Sequence, residues 1–476
     1  MKIERVLFIT PPSGLYRRDD RCQCKVEDQT IAVIFPPIEL GYLAAMLEKQ
    51  EIVCQIHDYP AEQRGWSEFQ EDFKTFDPDM LVINTTTPTL KNDLISAQLA
   101  RQLKPSVYTI GRGEYFSVYE KEGIELHPEL NAILIGEPEL TLDEMAICLK
   151  NGKSLDGVLG LTYRDDTKVV VNPPRPLLDE LDNLPFPSRH LMNHKLYRSP
   201  ENNEPITVIY TQRGCPARCI FCSVGLVSGY KIRKRSPENI VKELKECVEK
   251  YNFRNFLFHA DTFTWERDWV IELCKRILES GLKVHWGCNS RVDTVDPEIL
   301  QWMKTAGCWV MAFGIESGDQ SILNKMRKGA KLEDGVNAMR MVKEAGIKTH
   351  AFMVMGLPWE TKETFRKSMQ FLKELDTDFF DVNIAYPLPG TELMNMAEKE
   401  NLLVIENPAD GGYAQAALKT YTLSPKELTR MRKKALWEMY LRPKYIARTL
   451  ASASSSKNTL QYLKAAAKRA VNLIKT

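Results

Sequence analysis

Three cysteines in TQRGCPARCIFCSVG, namely Cys215, Cys219 and Cys222, stand in the spacing Cys-x3-Cys-x2-Cys directly after an apolar run. On one tight loop, three thiolates can each take one iron of a cubane iron–sulfur cluster. No fourth cysteine lies nearby, so one iron stays open. A structural zinc site needs four closing ligands, and the next cysteine, Cys247, lies about 25 residues downstream in a helical pattern. Such a centre can bind a ligand at its free iron and pass single electrons. Cys22 and Cys24, in RRDDRCQCKVED, lack histidine partners and read as an exposed pair. Cys54, Cys148, Cys247, Cys274, Cys288 and Cys308 lie in apolar segments and read as core.

The trio must be held by the segments around it. Short apolar runs at Ile206–Thr211, Asn255–His259, Lys283–Asn289, Trp309–Ile315, Thr349–Met355 and Phe380–Tyr386 alternate with helix-patterned stretches. Six β/α units over 206–400 are too few for a closed eight-fold barrel and suit a partial (β/α)6 barrel of the TIM type. Residues 1–150 repeat the alternation, with runs at Arg5–Ile9, Val53–His57, Met80–Asn84, Ser106–Ile110 and Ala132–Ile135. That pattern predicts a doubly wound α/β domain of the Rossmann or flavodoxin-like kind. Its strands run into small or polar loops that hold Ser13, Thr87, Gly111 and Gly136, and ligands of open parallel sheets sit at such carboxyl ends. Between the two, 151–205 reads as a linker, with NPPRP, LPFP and SPENNEP in its second part.

Residues 401–476 read as a helical carboxy-terminal region. From Ser424 onward thirteen Lys or Arg face only Glu427 and Glu438, while the whole chain of 476 residues nets +1. Leu460–Ile474 forms a basic amphipathic pattern that fits either an anionic membrane surface or packing on the protein itself. The amino-terminal apolar run is too short for a signal-peptide core, and no stretch reaches the roughly 18 apolar residues of a span. Eleven cysteines without an export signal predict a reducing compartment, so the expected location is the cytoplasm, with peripheral membrane contact through the tail.

The spacing of the trio, its place after a strand and its position at the head of a six-unit array resemble the radical S-adenosylmethionine (SAM) superfamily. The resemblance implies a 4Fe–4S cluster on Cys215, Cys219 and Cys222 whose open iron chelates the amino and carboxylate groups of SAM. It implies reductive cleavage to a 5′-deoxyadenosyl radical able to take hydrogen from an unactivated C–H bond. It also places Phe221 against adenine, Asp261 of HADTFTW at the SAM ammonium and Glu316 of FGIESGD at the ribose. Arg291 of CNSRVD meets the carboxylate in that picture, and Gly356 of GLPWET lies in the turn bordering adenine. From the residues alone, Asp261 and Glu316 fit buried structural carboxylates as well, and Phe221 fits a core position.

The first region, through ITPPSG, FPPIELGYLAAMLE, DPDMLVINTTTPT, IGEPELTLDEM and the following LDELDNLPFPSR, resembles the cobalamin-binding domain of B12-dependent radical SAM enzymes. Methylases of unactivated carbon and the anaerobic magnesium-protoporphyrin cyclase belong to that group. Asp-x-His-x-x-Gly, which supplies a cobalt-ligating histidine in other cobalamin proteins, is absent, and His57 stands in QIHDYP. The resemblance therefore implies cobalamin held by backbone and small side chains at Ser13, Thr87, Gly111 and Gly136.

Methyl transfer to carbon is the leading expectation, with radical cyclisation or rearrangement without methyl transfer as the alternative. A methylthiotransferase acting on tRNA would bring a further cysteine trio and a small basic β-barrel, which this chain lacks, so no nucleic acid is expected. A non-catalytic iron–sulfur redox sensor has no use for Asp261, Arg291 and Glu316 at strand ends. The expected partners are a small-molecule or lipid-like substrate and an electron donor such as flavodoxin or ferredoxin.

Overall fold

The computed structural model describes residues 3–18, 23–29, 33–405 and 412–452. In the first region, β1 (Arg5–Thr10), α1 (Ile38–Glu48), β2 (Val53–Asp58), α2 (Trp66–Phe76), β3 (Met80–Asn84), α3 (Ile95–Leu103), β4 (Tyr108–Arg112), β5 (Ala132–Leu134) and α4 (Glu139–Lys150) alternate. The strands pair in the order β2-β1-β3-β4-β5, all parallel. The order reverses direction at β1 and β3, which opens a crevice at their carboxyl ends. β1 and β3 are buried almost throughout because helices cover both faces of a parallel sheet.

The linker expectation for 151–205 is corrected by β6 (Leu161–Asp165) and β7 (Lys168–Val171). They form an antiparallel hairpin on β5 and extend the first sheet to seven strands. Asp166 turns it with φ +51°, and Leu161 and Tyr163 join the core beneath α1 and α4. The later part of the segment is irregular but firmly attached. Ser188 N–H donates to Gly41 O at 3.0 Å, and a Cβ on Gly41 would stand 2.6 Å from Met192 Cε. Arg189, 1% exposed, pairs with buried Glu243 at 2.5 Å and donates to Val208 O at 2.8 Å.

The second region runs β8 (Ile206–Tyr210), α5 (Pro237–Tyr251), β9 (Asn255–His259), α6 (Arg267–Glu279), β10 (His285–Ser290), α7 (Pro297–Thr305), β11 (Cys308–Glu316), α8 (Leu332–Glu344), β12 (Lys348–Met355), α9 (Lys362–Leu375) and β13 (Phe379–Ile384). All six strands are parallel and lie side by side in chain order, so the sheet is a partial barrel with open edges at β8 and β13. Caps start its helices where the sequence supplies them. Ser236 Oγ accepts from Asn239 N–H before α5, and Asp296 accepts from Glu298 and Ile299 N–H before α7. One continuous core of Phe, Trp, Met and Leu side chains fills the space between the strands and helices.

α10 (Pro425–Tyr440) packs on β13, and Arg432 donates to Val382 O at 2.6 Å. The chain breaks at Arg442, and Pro443 opens another helix. The basic amphipathic pattern at 460–474 lies outside the described residues, as does Cys22. Cys24 is buried, not exposed as its charged neighbours suggested. Among the described residues no helix is long and apolar enough to cross a membrane.

Candidate functional site

The cysteine loop leaves β8 through Arg213 and Gly214. Gly214 has φ +89°, and a Cβ there would stand 2.2 Å from Lys231 O, so glycine is required. Its N–H donates to Asp261 Oδ2 at 2.8 Å, which ties the loop to the end of β9. Ile220 N–H donates to Met326 O at 3.1 Å and Leu393 N–H to Ile220 O at 2.9 Å. Cys215, Cys219 and Cys222 all line a chamber of about 1290 Å³ at the mouth of the barrel. Among the described residues no three such groups converge on one ion position, whereas a cubane takes its thiolates apart, one per iron. Burial pushes the Cys219 and Cys222 thiols up, so cluster assembly has to release their protons.

Phe221, Asp261, Arg291 and Glu316 line the same chamber as the trio. Four groups from four different strand ends and loops thus converge with the cysteines. Glu316 closes β11 in the left-handed region, φ +65°, after a bulge at Gly314, and this turns its carboxylate inward. Gly356, φ +81°, does not line the chamber. It packs against Ile384 and Leu428, and its N–H donates to the carboxylate of Glu360. Burial pushes Glu360 up to about 7.

Several chamber residues carried no sequence signal. Lys328 pairs with Glu316 at 2.8 Å, and Asn289, Ser290 and Asn383 add polar groups. Phe352, Val354, Tyr386, Leu388 and Tyr413 add a largely apolar wall. That wall suits the non-reacting part of a substrate.

A second cavity, of about 720 Å³, lies at the first sheet's strand ends, where Thr10, Gly14, Asp58 and Asn84 face Tyr210 and His259 of the barrel. Arg17 lines both cavities. Ser13 and Thr87 stand beside the second cavity without lining it. Thr10 Oγ1, Ser13 Oγ, Asn84 Nδ2 and Thr87 Oγ1 are buried and lack a hydrogen-bond partner among the described residues. Such orphaned polar atoms at a switch point fit a large ligand with many amide groups, as cobalamin is.

Gly111 and Gly136 do not join them. Gly111 lies inside β4, which begins two residues later than the apolar run suggested, and a Cβ there would stand 2.7 Å from Phe116 Cε2. Gly136 lines a neighbouring cavity beside Glu137, Glu139 and Arg213, which shares Glu39, Tyr210 and His259 with the crevice and Asp261 with the chamber. His57 lines none of these cavities; its ring stacks on Tyr59 and its Nδ1 lies 3.5 Å from Glu62 Oε2.

The two regions are joined by buried ion pairs. Arg213 meets Glu139 at 2.5 Å, and Arg233 meets Glu137 at 2.6 Å. Burial works against the charge on Glu139, yet the Arg213 guanidinium outweighs it and holds the carboxyl below its ordinary range. The acids of IGEPE are therefore a seat for the base of the cysteine loop.

The model of the radical SAM superfamily matches residues 209–372. An uncharacterized methyltransferase of Pyrococcus horikoshii is 31% identical over 450 residues, which are 94% of this chain and 95% of that protein. The chain belongs to the cobalamin-dependent radical SAM family. Another relative, the anaerobic magnesium-protoporphyrin IX monomethyl ester cyclase of Rubrivivax gelatinosus, is 26% identical over 76% of this chain and 66% of its own length. Among solved structures, the cobalamin-dependent SAM radical enzyme OxsB with aqua-cobalamin and SAM bound is 17% identical over 99% of this chain and 72% of that one. Its TM-score of 0.74 shows that the fold is shared.

Proposed function

We propose that this radical SAM enzyme methylates an unactivated carbon, with the cluster and SAM in the barrel chamber and cobalamin in the strand-end cavity. The observation that carries the reading is the meeting of the two cavities at Arg17, which sets a chamber holding the cysteine trio next to a crevice of orphaned polar groups. When bound, the cluster supplies the electron that splits the S–C5′ bond of SAM, and cobalamin carries the methyl group. The chain's own side chains do the rest. Asp261 and Glu316 take up SAM, Phe221 packs on its base, and the wall of Phe352, Tyr386 and Tyr413 holds a largely apolar substrate away from water.

The relationship to methyltransferases favours methyl transfer, and the relationship to the cyclase supports cyclisation or rearrangement as the second reading. The deciding experiment uses anaerobically reconstituted protein, cobalamin, a flavodoxin or ferredoxin donor and extracts containing candidate substrates. Methylation consumes two SAM molecules per turnover, so S-adenosylhomocysteine and 5′-deoxyadenosine accumulate in equal amounts and a labelled methyl group ends on carbon. Deoxyadenosine without matching S-adenosylhomocysteine selects the cyclase reading. Absence of SAM cleavage selects a redox sensor. We also propose that the basic tail meets anionic membranes, for which deletion of residues 457–476 should reduce vesicle binding and leave SAM cleavage unchanged.

A further inference from the structure

In the reading above the chamber is filled by SAM and substrate, so an electron donor has to reach the trio from another direction. The cysteine loop has an outer side. There a cavity of about 650 Å³ is lined by the same three cysteines and by exposed side chains of the surface. Cys215, Cys219 and Cys222 line the inner chamber as well, so the loop is a single wall between the two spaces. An electron delivered on the outside has only that wall to cross.

The outer face combines apolar and basic groups. Leu226 and Tyr230 line the cavity and are 44% and 42% exposed. Both are seated on glycines: a Cβ on Gly225 would run into the Tyr230 ring, and one on Gly390 would stand 2.9 Å from Leu226 Cδ1. The Arg218 guanidinium lies over the Tyr230 ring, 4.2 Å from its centre, and Arg218 is itself exposed. The acids of this face are already taken. Arg327 grips Glu392 with two bonds of 2.6 and 2.8 Å, and Lys231, next to Tyr230, holds Asp179 at 2.9 Å. Arg218 has no ion-pair partner among the described residues, so the face carries positive charge in excess. An exposed aromatic with an arginine stacked on it, beside a leucine and ringed by charged groups, has the make-up of a protein interface.

We propose that this outer face of the cysteine loop docks the electron donor, a small one-electron carrier protein with acidic groups around its redox centre, and that Arg218 steers it. The proposal rests on the reading of the trio as the seat of a reducible cluster. At each docking the reduced donor loses one electron and the centre on the trio gains one; no bond is made or broken and no proton moves. Acidic groups around the donor's centre meet Arg218 and bring that centre over the loop, while Leu226 and Tyr230 supply the apolar contact that holds the encounter.

The test is calorimetric titration of the cluster-loaded full chain with flavodoxin and with ferredoxin at low and high salt. For whichever binds, Arg218→Glu should weaken the affinity about tenfold or more and flatten its salt dependence, and Arg218→Lys should keep most of the affinity. Leu226→Asp should weaken it to a similar degree. Arg340→Glu makes the same change of net charge on the exposed side of α8 and should leave the affinity as it was. SAM cleavage gives a second readout: in Arg218→Glu the ratio of donor-driven to dithionite-driven cleavage should fall about tenfold at low donor concentration. Binding of neither carrier by the parent overturns the proposal, as does an Arg218→Glu variant that binds as tightly as the parent. Equal weakening by Arg340→Glu overturns it too, since only net charge is then at work, and so does an equal fall of donor-driven and dithionite-driven cleavage, which marks a damaged loop. Failure of the unsubstituted protein to cleave SAM with dithionite takes down the underlying reading, and that result is distinct from the others.

Discussion

The barrel chamber and the strand-end crevice of the first sheet are both built at the carboxyl ends of parallel strands, yet they differ in how far their polar groups are already satisfied. In the chamber the charged groups are already engaged: Lys328 with Glu316, Arg291 with Asp293, Asp261 with Gly214. The crevice also has charged, engaged groups, Arg18 with Asp93 and Asp58 with Tyr197, but beside them Thr10 Oγ1, Ser13 Oγ, Asn84 Nδ2 and Thr87 Oγ1 are neutral, buried and without partners among the described residues. A charged, paired wall orients a zwitterion such as SAM through fixed directions of attraction. Scattered neutral hydroxyl and amide groups fit a large ligand through many weak contacts, no one of which is decisive.

The largest expected effect tests whether the two sites are separable. Replacing Cys215, Cys219 and Cys222 together by alanine should remove the cluster absorbance, about four irons per chain and all SAM cleavage, while cobalamin binding, read from its visible spectrum, persists. Loss of cobalamin in the same variant would show that the sites depend on each other. Next in size is the buried junction. Arg189→Ala leaves Glu243 to its other partner, Arg235, in a fully buried position and should cost about 3–5 kcal/mol, read as a lowered thermal midpoint.

A somewhat smaller effect is expected from pH. Burial holds the Glu360 carboxyl at about 7 against an ordinary 4.5, so between those values the folded chain keeps a proton that the unfolded chain has lost. Stability therefore falls as pH rises through that window, by about 3 kcal/mol in total. Glu360→Gln should abolish the fall and be the more stable protein at pH 8, with little difference at pH 4.5. Equal pH profiles of midpoint temperature would refute this. The smallest effects belong to the crevice. Thr10→Val should weaken cobalamin by a few-fold only, consistent with one neutral hydrogen bond, about 0.5–1.5 kcal/mol. His57→Ala should leave the cobalamin spectrum as it was.

What could be read in advance follows the same division. Cysteines at Cys-x3-Cys-x2-Cys and carboxylates at the ends of apolar strands are conspicuous because such positions are otherwise filled by hydrophobes, and the structure gathers Asp261 and Glu316 beside the trio. Lys328 escaped because MRKGAK has the look of a solvated turn. Its burial depends on a left-handed Arg327, and only the following glycine hints at that. Arg213 and the acids Glu137 and Glu139 were passed over for a related reason, since a salt bridge between residues about 75 positions apart leaves no local pattern. In the crevice, loop composition points to Gly111 and Gly136, but β4 starts two residues later than the apolar run suggests and holds Gly111 inside a strand. The hairpin of β6 and β7 did have a signal, alternating residues on either side of Asp165-Asp166-Thr167, but the neighbouring prolines outweighed it.

The junction at Glu137 and Glu139 also bears on how the molecule is made. All seven strands of the first sheet, and both acids, precede the cysteine loop in the chain, so during synthesis they leave the ribosome first. Arg213 and Arg233 flank the trio and emerge afterwards, toward acids already in place. The seat for the cysteine loop is thus synthesised before the loop itself, and the remaining five barrel strands that complete the chamber come last.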